Sequence, residues 1–137
     1  MSELKQLQVI WGALVAGVVL YTAVIFGLMT AGGMSFDALD PTIMNLVGAG
    51  VMLYMAGAVF ARRLLIAKIP AQAPAEDRLA SYRTASIVAL ALMESGGLIV
   101  ITLGLLAGAA LWVLAGGGAA AALMFLAKPR ADEIGLG

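Results

Sequence analysis

The chain reads as long apolar runs separated by a few polar clusters. Val9 to Met29 is 21 residues without a charge, and as a helix it would span ~32 Å, the thickness of a bilayer core. Ile43 to Ala61 is a second run, opened by Asp40-Pro41, the pair expected of an N-cap followed by proline at the first helical position. Ser86 to Ala127 holds one charge in 42 residues. A single helix of that length would measure ~63 Å, about twice the core, so the run must fold back once. Gly108 offers a C-cap for the reversal, and Trp112 an interfacial anchor beyond it. The pattern predicts an all-α polytopic membrane protein, a single domain over residues 1–137 built as a bundle of four transmembrane helices. The spans fall near 9–29, 43–61, 84–106 and 109–127, with one sizeable loop at 62–83.

Within that loop Pro70, Pro74 and the alanines between them form a short stiff linker. Glu76 and Asp77 then fit the first turn of a helix, where the macrodipole favours acids. Leu79 and Tyr82 carry the pattern into the third span, so that helix should project a turn or two beyond the membrane.

Composition agrees with the pattern. Hydrophobic residues make up 63% of the chain and charged residues 12%, and mean hydropathy is +1.04. Sixteen charges could hardly cover a soluble domain of this size, which excludes a soluble enzyme and a nucleic-acid binder. Cysteine and histidine are both absent, removing the common ligands of zinc, haem and iron–sulfur clusters and the Ser-His-Asp and Cys-His machines. No catalytic residue, cofactor or metal site is predicted, and no enzymatic reaction.

Charge placement sets the orientation. Lys5 precedes the first span, Arg62, Arg63, Lys68, Arg78 and Arg83 separate the second from the third, and Lys128 and Arg130 follow the fourth. The other two connections carry no basic residue, and Asp37 and Asp40 lie in one of them. By the positive-inside rule both termini are cytoplasmic, in the inner membrane of a bacterial cell. The first run is longer than the ~7–15 residues of a signal-peptide core and no cleavage site follows it, so it is expected to remain as a span.

Small residues should mark the helix interfaces. Gly12 and Ala16, Ala13 and Gly17, and Ala23 and Gly27 are pairs four apart in the first span; Gly116 to Gly118 and Ala119 to Ala122 make small faces on several sides of the fourth. Tight packing within one bundle is the first expectation. An intermolecular face, in a homo-oligomer or a larger membrane complex, is the alternative.

Glu94 is the one residue with a claim to chemistry. Eleven residues beyond Arg83, it lies ~16 Å deep, near the bilayer midplane. An acid there costs at least ~2.5–3.5 kcal/mol on insertion scales, and no basic residue lies in any span to offset it. Desolvation without a cationic partner favours the protonated form. Tyr54, Tyr21 and Ser95 lie at comparable depth and complete a candidate proton- or cation-binding site. The alternative is a protonated acid hydrogen-bonded across the bundle for structural reasons.

A shift of 77 residues places Gly27-Leu28-Met29 over Gly104-Leu105-Leu106 and Gly17 over Glu94, as a duplicated hairpin would. Four glycine-rich spans with one carboxylate distantly resemble the duplicated proteolipid subunits of rotary ATPases, and the resemblance implies an ion-carrying role for Glu94. Those proteins hold the acid on the second helix of a hairpin and carry a polar loop motif; here Glu94 is on the first helix of its hairpin and the motif is missing. Tyr82-Arg83-Thr84-Ala85, Ala91-Leu92-Met93-Glu94-Ser95 and Lys128-Pro129-Arg130 are more closely similar to a loose set of small uncharacterised bacterial four-helix membrane proteins. That likeness covers about 50 residues of the second hairpin and brings no activity with it. Small multidrug exporters also have four helices and one membrane glutamate, but theirs sits in the first helix. The sequence therefore points to an accessory or structural subunit of a membrane complex, with a proton- or cation-linked transport or rotor-like subunit as the alternative.

Overall fold

A computed structural model describes residues 2–34 and 36–135. They form four helices, α1 Glu3–Thr30, α2 Pro41–Ala67, α3 Ala75–Leu106 and α4 Ala110–Leu126, followed by a 3₁₀ turn at Ala131–Ile134. α1, α2 and α3 are each long and apolar enough to cross a membrane. α4 has 17 residues and measures ~25 Å.

Each boundary has a local cause. The Ser2 side chain accepts from the Lys5 amide at the start of α1, and Asp40 Oδ1 accepts from the Thr42 amide at 2.8 Å ahead of Pro41. α3 ends where the Gly108 amide donates to Leu105 O at 3.1 Å and the Ala109 amide to Gly104 O at 2.8 Å. This Schellman arrangement needs a left-handed residue, and Gly108 supplies it at φ +64°.

The basic connection is shorter than its charges suggest. α2 runs on through Ala67 and α3 begins at Ala75, so only residues 68–74 of the expected 62–83 loop lie outside a helix. Arg62, Arg63, Leu64 and Leu65 are good helix formers, and the backbone breaks only where Pro70 and Pro74 remove amide donors.

α3 is the central element, packed against all three other helices, whereas α1 and α2 barely touch. The bundle is thus a rhombus with α3 and α4 on its short diagonal. α1 lies parallel to α3, and α2 to α4. The α1–α2 connection therefore crosses the end of the bundle, where the Ala38 amide donates to Leu106 O at 2.9 Å. The two hairpins differ in kind: α3 and α4 pack along their length, while α1 and α2 are joined without packing.

Glycine sets the closest approaches. A Cβ on Gly96 would stand 2.5 Å from Met55 Cγ of α2, one on Gly97 2.5 Å from Ala120 Cβ of α4, and one on Gly116 2.6 Å from Val100 Cγ1. Gly117 meets the Thr22 side chain of α1. These contacts enclose a core of Val15, Val18, Met55, Leu90, Met93, Ala120 and Met124. The small pairs of α1 behave differently from expectation. Gly12, Gly17 and Gly27 have nothing within 4 Å of where a side chain would begin. α1 turns Leu7, Val18 and Ile25 inward instead, which places its glycines on the flanks and the outer face.

Candidate functional site

Glu94 sits midway along α3 and is half-buried. Ile87, seven residues before it, packs against the cluster that holds Leu7 of α1, and Ile101, seven after, shares a cluster with Ile25. Seven residues are two helical turns, so Glu94 shares their stripe and faces the α1–α3 seam. Val18 of α1 approaches Gly97, and this register puts Glu94 at the level of Val15. Among the described residues no hydrogen bond or ion pair reaches its carboxyl.

The expected companions of Glu94 are elsewhere. Tyr21 and Thr102 share a hydrogen bond of 2.8 Å that ties α1 to α3, about two turns of α3 beyond Glu94. Tyr54 is 51% exposed on the outer face of α2. Ser95 donates back to Leu92 O at 3.1 Å and is exposed. Tyr21, Tyr54 and Ser95 are therefore not gathered around the carboxylate. α1 and α2 barely meet, so side chains of similar depth can stand far apart around the rhombus.

The densest polar site lies at the end where the basic residues collect, around Arg62. This side chain, read from sequence as a loop charge, is 3% exposed within α2. Its Nη1 donates to Glu133 Oε2 at 3.0 Å and its Nη2 to Glu133 Oε1 at 3.1 Å, a bidentate pair. Nη2 also lies 3.1 Å from the Tyr82 hydroxyl and 3.3 Å from Ser86 Oγ, both on α3. The Tyr82 hydroxyl donates to Glu133 Oε1 at 2.6 Å and accepts from the Arg130 amide at 2.8 Å. The Arg62 guanidinium carbon stands 5.5 Å from the Tyr82 ring centroid.

Neighbouring contacts fasten the same segment. Gln8 Nε2 donates to Pro129 O at 3.1 Å, and Arg78 Nη1 to Ile134 O at 2.8 Å. Ile134 is buried against Leu7 and Tyr82. The residues after α4 thus fold back and clamp all four helices at one end. At Glu133, burial pushes the carboxyl up, but the hydrogen bonds from Arg62 and Tyr82 and the charges of Arg62 and Arg130 outweigh it. The carboxyl is held below its ordinary range, so the pair is ionic at neutral pH.

Chemically this is a closed ion pair. Arg62 and Tyr82 are spent on Glu133. Among the described residues no three acidic side chains converge as a metal site would require. The sequence held part of the signal. Met55, Val59 and Arg62 lie four and three residues apart on one face of α2, and Tyr82 and Ser86 lie four apart on α3, which is the spacing of inward positions. Glu133 carried no such sign, because it follows Pro129 beyond the last apolar run. Comparison of the chain with protein-family models, curated proteins and solved structures finds no match. Fold and site together define an all-α four-helix bundle, three of its helices long and apolar enough to cross a membrane, with a polar clamp at one end.

Proposed function

We propose that this protein is a multi-pass inner-membrane protein, both termini cytoplasmic, that serves as a non-catalytic accessory or structural subunit of a larger membrane complex. The observation that carries the reading is the interior. From Val15 to Met124 the core is apolar, and the fully buried polar side chains, Arg62 and Ser86, sit together at one end. Among the described residues no buried polar path runs between the two ends through such a core, which leaves a single copy without a route for an ion or solute. The eight basic residues share the end with the clamp, which is the arrangement the positive-inside rule gives a cytoplasmic face. A native mass measurement in mild detergent, on protein drawn from its own membranes, should show the chain in a fixed stoichiometry with other polypeptides. A chain that runs alone overturns the reading.

One observation favours a second reading. Glu94 is a mid-span carboxyl with no hydrogen-bond partner among the described residues, and such acids commonly carry protons or ions. A proton-linked or rotor-like subunit would use it at a seam completed by a neighbouring copy. Purified protein in vesicles with a pH-sensitive dye decides between them. The accessory reading expects no flux from the parent; a flux abolished by Glu94→Gln would establish the second.

A further inference from the structure

We infer that the groove between the C-terminal end of α2 and the first turns of α3 binds an anionic glycerophospholipid. Its phosphate would sit on Lys68 and Ser81, beside Thr84, with an acyl chain along Leu65 and Val88. The inference rests on the membrane-spanning reading. The groove holds about 400 Å³ and is lined by those five residues with Ile69, Pro70 and Ala85. Its lining is ordered by polarity. The Arg62–Ser86 contact shows that α2 and α3 run antiparallel, so Lys68 lies near the level of Ala80 and Ser81, and Leu65 near that of Arg83 and Thr84. From Ser81 to Val88 the groove passes from hydroxyl to aliphatic over ~10 Å, toward the bilayer centre.

Depth agrees. Lys68 follows the last residue of the second apolar run, Ala61, by seven positions, which is ~10 Å along α2 and places it in the headgroup layer. Its charge is also free. Arg62 pairs with Glu133 and Arg130 with Asp132, Lys128 stands over Trp11, and Arg78 is bonded to Ile134 O. Lys68 pairs with no acid among the described residues, and it is the one charge in a groove without an acidic lining residue. The Ser81 hydroxyl is exposed, and Leu65 and Val88 are 48% and 49% exposed. One cation, the exposed Ser81 hydroxyl and an aliphatic slot match a lipid phosphate and its chain, while Thr84 Oγ1 donates to Ala80 O of its own helix at 3.2 Å; a free phosphate would leave the slot uncovered.

The test begins with a carbonate wash of the membranes. Protein that washes off refutes the membrane reading and this inference with it. Retained protein is purified, stripped of lipid, and titrated separately with phosphatidylglycerol, phosphatidylcholine and inorganic phosphate in native mass spectrometry. Phosphatidylglycerol should bind at a discrete stoichiometry and tighter than phosphatidylcholine, with no retention of inorganic phosphate. Lys68→Gln should weaken it about fivefold, and Val88→Trp, filling the slot, should remove it with the helical circular dichroism unchanged. Arg63→Gln, an equal charge change outside the groove, should leave the affinity as it was. Equal binding of the two lipids, equal losses in the Lys68 and Arg63 variants, or binding of phosphate alone would each overturn the lipid site while leaving the membrane reading in place.

Discussion

Arg62 and Glu133 meet through two parallel hydrogen bonds of 3.0 and 3.1 Å, joining the interior of α2 to the 3₁₀ turn after α4. The guanidinium is almost wholly buried, while the carboxylate keeps 19% of its surface. Removing one partner of such a pair strands the other in a poor solvent. Glu133→Ala should therefore destabilise the protein by about 3 kcal/mol, read by thermal unfolding in detergent. The same variant should expose the segment around Lys128 and Arg130 to trypsin. An unchanged melting temperature with unchanged cleavage would mean that the clamp contributes nothing.

Acid should open the clamp from the same cause. The folded carboxyl of Glu133 lies below its ordinary value of 4.5. Its contribution is therefore complete above that ordinary value and fades as pH falls through the lower, folded one. Trypsin-resistant protein at neutral pH should become labile near Lys128 only under strongly acidic pre-incubation, assayed by a short pulse of an acid-active protease. Release at pH 6 would contradict the direction of the shift.

Adjacent glycines of α4 should respond in opposite ways. Gly117 faces Thr22 of α1 with no room for a side chain, whereas Gly118 has nothing within 4 Å. Gly117→Leu should cost about 1–3 kcal/mol or prevent folding. Gly118→Leu should stay within about 0.5 kcal/mol of the parent in the monomer. A comparable loss in both variants, by fluorescence-detected size exclusion, would reveal a partner helix on the Gly118 side.

Topology is open to direct measurement. Phe36 lies in the connection that crosses one end of the bundle, and Lys128 lies at the clamp end. A reporter after Lys128 should read cytoplasmic and one at Phe36 external. Matching signals from both sites would refute a four-span arrangement.

Local chemistry wrote the helices into the sequence. The Asp40-Pro41 start and the Gly108 reversal each depend on a few consecutive residues, and each occurs where the sequence places it. Which sides of the helices meet is a different matter. Glycines in α1 and α4 look alike as letters, yet Gly116 and Gly117 lie in seams, whereas nothing stands within 4 Å of where a side chain would begin on Gly12 or Gly17. In an apolar helix every face is compatible with lipid, so periodicity carries little information about the buried one.

The chain by itself thus determined its long apolar helices and the end on which its basic residues gather, because length, hydropathy and charge are summed along the sequence. Only the tertiary structure decided that Tyr21 bonds Thr102 rather than attending Glu94, and that Arg62 is a buried ion-pair partner rather than a loop charge. Both outcomes follow from the rhombic packing, which separates α1 from α2 and brings residue 133 back against residue 62. Pairing across 71 positions is set by how four helices and a returning tail fill space together, and no local pattern encodes that.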